Sequence, residues 1–476
     1  MISNPVKYQL FLILSFLSLY IGTGYGVTIT NDSLTNIEQV EMLDLWHRSS
    51  HFGFHFLSIL SYLFFQSFGL DSPVFSTQFM LSCISIVGVV ALFRIVLLWK
   101  NNLDLAFVVA LIYGLNSNIW RFSVQNEYHV LVPALSMAAI ALWLHGKHLF
   151  GAAVFGLATL TSPFAIFSLP LVFIKPLKIN RSIIFNSIAG FLLVFGAVSL
   201  FTYKETLQGE WSYDLVFQYY KKTISLTNFT RVFSIYLYGF FRAYHIVLLL
   251  LIIFLIRYRK TEKRLVLLLL VGFLLHLPAA IPENRYGAYQ MTLYPLIAIC
   301  SGFVLHQMFI KKKVYFTLFI AVYIATNTFV VLQERAYHQN LSELYTSLQN
   351  DLSIQDSSYV FMYKATKPFN EKYAPRLKGI SVYSNYLENL ADNLQNYELP
   401  DYKSLLNSGA PVYLIESGVS MPDDMIKSLF SKYTDKQGAK SKGTGIKKIK
   451  EICESASFDK MQEFESIVVY KVRCNS

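Results

Sequence analysis

The chain has 476 residues, 54% of them hydrophobic and 16% aromatic, with a mean hydropathy of +0.41. So many long apolar runs exclude an ordinary soluble protein and point to a polytopic membrane protein. The net charge of +11 does not argue for nucleic acid, because the Lys and Arg residues sit in short clusters between apolar runs, as orientation signals do.

In chain order, Tyr8 to Tyr25 is apolar, follows Lys7 and lacks a small-x-small cleavage site. It reads as an uncleaved signal anchor with a cytoplasmic N-terminus, which puts the next segment outside. That segment, residues 26–75, is expected to be a juxtamembrane external loop. Its part from Thr30 to His55 carries Asp32, Glu38, Glu41, Asp44, His47, Arg48, His51 and His55, with Leu34, Ile37, Val40, Leu45 and Trp46 at roughly helical spacing. A stretch of that pattern lies flat on the bilayer. His51 to Leu70 is apolar but is not expected to cross, because Arg94 and Lys100 then fall inside at the far end of Ser76 to Trp99.

The later loops agree with that choice. Leu103 to Ile119 runs out to Trp120–His129, and Val130 to Leu144 runs in to Lys147. Ser162-Pro163 breaks Leu149 to Phe173 into a hairpin that returns to Lys175, Lys178 and Arg181. Ser182 to Tyr203 goes out to a Tyr-rich loop, and Val232 to Ile256 comes in to Arg257, Arg259, Lys260, Lys263 and Arg264, the strongest cytoplasmic marker. Leu265 to Ile281 goes out to residues 282–290, Met291 to Ile310 comes in to Lys311–Lys313, and Val314 to Leu332 goes out last. At roughly twenty residues per span, this predicts about eleven transmembrane helices over residues 1–333.

From Glu334 the texture changes. β-prone runs at Tyr359–Tyr363, Ile380–Tyr383, Val412–Ile415 and Ile467–Val472 alternate with polar or helical stretches, which suggests an extracytoplasmic α/β domain over 334–476. Cys83 and Cys300 lie in apolar segments. Cys453 and Cys474 can pair if the C-terminal region is outside.

Three polar clusters share the outer face of this topology: Asp32 to His55, Trp120 to His129, and Pro282 to Gln290. They offer carboxylates (Asp32, Glu38, Glu127, Glu283), cations (Arg121, Arg285) and imidazoles (His51, His55, His129). Arg242 adds a cation inside an apolar run, where it faces a polar cavity or anion, snorkels, or pairs with a carboxylate. Such a set suits a lipid-phosphate sugar donor, whose tail stays in the bilayer while arginines hold its phosphate and a carboxylate deprotonates the acceptor. Asp32 has a bland reading too, as the N-cap of a helix over SLTNIEQ. A divalent metal is left open: His51 and His55 at i, i+4 can hold one, or simply pack at an interface.

The order of short N-terminal helix, acidic first external loop, His-x-Gly-aromatic and long aromatic helix resembles the membrane glycosyltransferases of the GT-C superfamily, and within it the protein O-mannosyltransferases. Asn31-Asp32-Ser33 matches the acidic motif that carries the catalytic Asp there. His51-Phe52-Gly53-Phe54 matches a His-Pro-Pro-Gly-Tyr-like motif without its prolines. Trp120, Ser123, Glu127 and Tyr128 resemble the polar end of a later external loop. Arg285-Tyr286 before Tyr294-Pro295 resembles the segment with which relatives hold the donor phosphate. The resemblance spans roughly residues 1–310. It implies a GT-C-like fold and an inverting transfer from a polyprenyl-phosphate sugar to an extracytoplasmic protein, lipid or glycan acceptor. Asp32 would be the base, with Glu127, Arg285, Tyr286, Arg242, His51 and His55 binding substrate. The main rival is a transporter or flippase of lipid-linked sugars, which predicts interrupted helices near the midplane rather than polar groups gathered on one face. A third reading, a sensor or scaffold led by the C-terminal domain, leaves the membrane clusters unexplained.

Overall fold

A computed structural model describes residues 4–27, 31–45, 51–176, 180–201, 237, 240–241, 243–276, 288–351, 359–362, 378–381, 412–417, 450, 454–464 and 467–474. The chain divides into two compact units, one of Met1–Gly26 with Asn36–Gln333 and one of Val27–Thr35 with Glu334–Ser476.

The first unit is helical. It comprises α1 (Asn4–Gly22), most of α2 (Asn31–Glu41), α3 (Phe52–Gln66), α4 (Pro73–Lys100), α5 (Leu103–Gly114), α6 (Ser117–Ser123), α7 (Leu131–Leu144), α8 (His148–Thr161) and α9 (Arg181–Phe191). A π turn at Leu192–Gly196 then leads to α10 (Ala197–Phe201), followed by α11 (Val247–Tyr258), α12 (Lys263–His276) and α13 (Tyr294–Lys311). Helix α14 (Lys313–Asp351) begins in this unit. Three 3-10 segments, Tyr128–Val130, Pro163–Ile174 and Ala288–Leu293, interrupt the order.

Among the described residues five helices are long and apolar enough to cross a membrane, or six if α5 and α6, bent by 64°, count as one span. Five further apolar helices are shorter, at 10–17 residues, α3 and α8 among them. Among the described residues, one segment expected to be a continuous span, Leu103 to Ile119, is divided by a bend. The apolar run ending in Ser162-Pro163 does break there: the Ser162 hydroxyl accepts from the Phe164 N–H, and a 3-10 turn follows. Leu103 to Ile119, expected to be continuous, breaks at Leu115–Asn116. The Asn116 side chain accepts from the backbone N–H groups of Asn118 and Ile119, so it caps a new helix rather than continuing the old one.

Helix α4 is the centre of the core. Sixteen of its 28 residues are buried, from Val74 to Val96, so it carries no single polar face. Its Gly88 lets α7 approach closely, since a Cβ there would lie 2.8 Å from the Ala134 Cα. Trp120, Tyr113, Tyr244 and Tyr294 are fully buried in the same core. The polar tips of most are tied. Trp120 donates to Thr23, Tyr244 donates to the Tyr294 carbonyl, and the Tyr294 hydroxyl accepts from Asn118. In a bilayer each such group needs a partner inside the protein.

In the second unit five strands form one sheet in the order β2-β1-β3-β5-β4: β1 (Tyr359–Met362), β2 (Lys378–Ser381), β3 (Val412–Ser417), β4 (Ala456–Phe464) and β5 (Ile467–Cys474). β1 pairs parallel with β2 and β3, and β5 pairs antiparallel with β3 and β4. Four strands fall on the β-prone runs of the sequence. β4 does not: its SFDKMQEF carries charges and a bulge between Lys460 and Gln462 that hide the alternation. Helix α14 runs well past Leu332, where the last span was expected to end, because no Gly or Pro follows before Asp351 to stop it.

Candidate functional site

The site is built where the three 3-10 segments of the first unit come together. Tyr128–Val130 enters α7, Pro163–Ile174 leaves α8, and Ala288–Leu293 enters α13. A small cavity lies between them, lined by Tyr128, His129, Val132, Pro133, Ser162, Phe164, Ala288, Met291 and Thr292.

His51 is the N-terminal flanking residue of α3. Its Nδ1 lies 2.9 Å from the Thr161 carbonyl, which can only accept, so Nδ1 carries the proton. Its ring stacks on Tyr128 at 3.8 Å between centroids and 23° between planes. This contact depends on Gly53. A Cβ at Gly53 would lie 2.4 Å from Thr161 Oγ1 and 2.8 Å from the Leu157 carbonyl oxygen, so only glycine lets α3 seat on α8 there. His55, one turn on, is fully buried in the inner face of α3.

Glu127 precedes the first 3-10 turn, and its Oε2 lies 3.5 Å from His129 Nε2. Each of these side chains keeps 13% of its surface exposed. His129 also meets the edge of Phe122, and the Arg121 guanidinium lies 4.3 Å above the Phe122 ring. Burial, helped by the nearby His51 and Arg121, lowers the His129 pKa from 6.5 to about 3. Burial outweighs the neighbouring carboxylate here, so the imidazole is neutral at physiological pH. The result is a carboxylate and a neutral imidazole side by side, with buried Arg121 close behind. That set can accept hydrogen bonds from hydroxyl groups and can hold a proton.

Trp120 to His129 was expected to be an external loop, but its first four residues are a buried helix. Arg121, Ser123, Gln125 and Asn126 are all less than 5% exposed. The polar residues that suggested a solvated loop are housed inside: the Ser123 carbonyl accepts from Ser82, and the Asn126 carbonyl accepts from Asn36. Asp32 is the second residue of α2, which begins at Asn31, so it lies within the first turn and not at the N-cap. Its side chain lies outside the described residues, as do Arg242, Arg285 and Tyr286. Residues from two of the polar clusters line the cavity, Tyr128 and His129 facing Ala288, Met291 and Thr292, and His51 of the first cluster stacks on Tyr128. Sequence reasoning missed His276 and Thr292. They are sixteen residues apart and joined by His276 Nε2 to Thr292 Oγ1, and no local pattern pairs them. Among the described residues no group of three or more His, Cys, Asp or Glu is placed to hold a metal ion.

No protein-family model matches the chain, and no curated protein sequence matches it. Solved structures do resemble it. The structure of ArnT from Cupriavidus metallidurans bound to undecaprenyl phosphate matches with a TM-score of 0.58 at 11% identity, covering 97% of each chain. The apo structure of the same protein matches with a TM-score of 0.56 at 10% identity, covering 98% of each. The oligosaccharyltransferase of Archaeoglobus fulgidus, tethered to an acceptor peptide, gives 0.49 at 10% identity over 87% of this chain and 69% of its own. The ArnT likeness extends over nearly the whole chain and gives the fold: the helical architecture of the ArnT structures.

Proposed function

We propose that this protein is a membrane glycosyltransferase that moves a sugar from a polyprenyl-phosphate donor to an extracytoplasmic acceptor. The observation that carries the reading is that Tyr128, on which His51 stacks, and His129, which pairs with Glu127, face Ala288, Met291 and Thr292 across one small cavity at the ends of helices. The ArnT likeness supports it, because a fold that in one solved case holds undecaprenyl phosphate suits a donor of that class. The resemblance to protein O-mannosyltransferases adds the expectation of an inverting reaction on a hexose or pentose, with protein, lipid or glycan as acceptor.

In the proposed reaction the Asp32 carboxylate takes the proton of the acceptor hydroxyl. The hydroxyl oxygen attacks the anomeric carbon from the face opposite the phosphate, forming the new C–O bond. The bond from the anomeric carbon to the phosphate oxygen breaks, and its electron pair leaves on the phosphate. Arg285, beside Tyr286, and Arg242 neutralise that phosphate. Glu127 accepts hydrogen bonds from substrate hydroxyls, and His51, which stacks on Tyr128, and His55 complete the substrate-binding set. One base and a good leaving group suffice, so no second carboxylate need act as an acid.

The test is Asp32→Asn in purified protein. Transfer is expected to fall by three orders of magnitude or so, with an unchanged melting temperature, since the amide cannot take the proton. Full transfer by the variant removes Asp32 from the mechanism.

A further inference from the structure

We infer that His276 and Thr292 are positioning residues that hold the Glu127–His129 pair in place from the opposite wall of the cavity. The inference rests on the transferase reading and adds two residues to its site.

His276 ends α12 and is fully buried. Its Nδ1 lies 2.7 Å from the Gly272 carbonyl, which fixes the proton on Nδ1. In the neutral ring Nε2 then accepts from the Thr292 hydroxyl, 2.5 Å away. Phe167, from the Pro163–Ile174 segment, packs on the imidazole at 5.0 Å between centroids. A histidine buried in an apolar helix end is costly, and an aliphatic residue would fill the space without that cost. Its two hydrogen bonds give the cost a purpose: the one to Gly272 orients the ring within α12, and the one to Thr292 joins α12 to Ala288–Leu293 at one defined point.

That point faces His129 of the pair. Thr292 lines the cavity together with Ala288 and Met291, and His129 and Tyr128 line it from the other side. All three walls begin in 3-10 turns, whose hydrogen bonds are weaker than those of an α-helix. Side-chain ties must therefore set where the walls sit. His51 on Thr161 ties α3 to the end of α8, the Tyr128 stack ties that to the second wall, and His276 on Thr292 ties the third. Releasing the last lets the Ala288–Leu293 wall shift away from His129.

The test is a double-mutant cycle of Thr292→Val and Glu127→Gln in the full-length protein, with a polyprenyl-phosphate sugar as varied substrate. Thr292→Val is expected to raise KM for the donor about five- to tenfold with kcat changed less than about threefold, the size of one lost buried hydrogen bond. Thr292→Ser, which keeps the hydroxyl, is expected to restore KM. In the combined variant the loss is expected to be no greater than for Glu127→Gln alone, because Thr292 acts through the pair. A wild-type KM in Thr292→Val, or losses that multiply, overturns the inference. Wild-type protein that consumes no donor sinks the transferase reading instead. The cycle is then read as the protonation midpoint of His129 by 15N NMR of histidine-labelled protein. A midpoint moved toward the ordinary histidine value by Thr292→Val supports the positioning role, and an unmoved one refutes it.

Discussion

At the scale of single residues, the Glu127–His129 pair is a proposed substrate-binding pair among the described residues. Glu127→Gln keeps the shape and removes the charge, so it should raise KM for the sugar donor about tenfold, the size of a charge-assisted hydrogen bond. Steady-state kinetics with the donor as varied substrate checks this. His129 adds a pH dependence. Its pKa is depressed from 6.5 to about 3 in the folded protein, so below pH 6.5 the unfolded chain takes up a proton that the folded one does not. The stability it contributes is complete above pH 6.5 and is lost progressively as the pH falls toward 3. Thermal unfolding in detergent should show a melting temperature that drops between pH 7 and pH 4, and drops less in His129→Gln. An identical pH slope in the two proteins would contradict the assignment. Several residues of the candidate site could be singled out from sequence. His51, Glu127 and His129 are polar groups beside apolar runs, and that contrast is visible without coordinates. His276 and Thr292 were not legible, because their relation is a contact between helix ends and leaves no period in the chain.

At the scale of elements, breaks decide the architecture. The break at Ser162-Pro163 was legible because proline removes a backbone donor and disfavours helix in the residue before it. The break at Asn116 was not, because an asparagine in an apolar run reads as a tolerated polar residue until its side chain is seen capping the next turn. Asn116 also donates to the Ala243 carbonyl. Asn116→Ala should therefore cost about 1–2 kcal/mol from the cap alone, with a further loss from the orphaned carbonyl, measured by chemical or thermal unfolding. Helix α3 makes the opposite case, in which a small residue is needed for close approach. Gly53→Ala would push a methyl group into Thr161 and the Leu157 carbonyl, and should destabilise the protein by about 1–3 kcal/mol. It should also disturb the His51–Tyr128 stack, so transfer is expected to fall along with stability. Trp120 to Ser123 misled in another way. Arg121 and Ser123 look like loop residues by type, but Ser123 donates to the Ile119 carbonyl, Arg121 lies over the Phe122 ring, and the segment is a buried helix.

At the scale of the whole molecule, composition alone gives the membrane class, and the ArnT likeness gives its helical architecture. Counting spans from sequence was harder. The described helices are often shorter than a bilayer crossing, with 3-10 turns and bends taking up the rest, so apolar length overstates continuous helix. The positive-inside pattern predicts that the N-terminus is cytoplasmic and that residues 334–476 are outside. A reporter active only outside the cytoplasm, fused after Ser476, should be active, and one fused after Lys313 should not. The reverse pattern would invert the topology and move the polar clusters to the cytoplasmic face.

The account turns on chemistry rather than transport, and one measurement separates them most directly. Purified protein in detergent micelles, where no bilayer exists to be crossed, is incubated with a panel of polyprenyl-phosphate sugars and an acceptor mixture. The release of free polyprenyl phosphate is then followed. The account predicts release from at least one donor, dependent on acceptor and absent in Asp32→Asn. Intact donors throughout the panel, together with movement of the same lipids across proteoliposome membranes, would contradict it and identify a flippase.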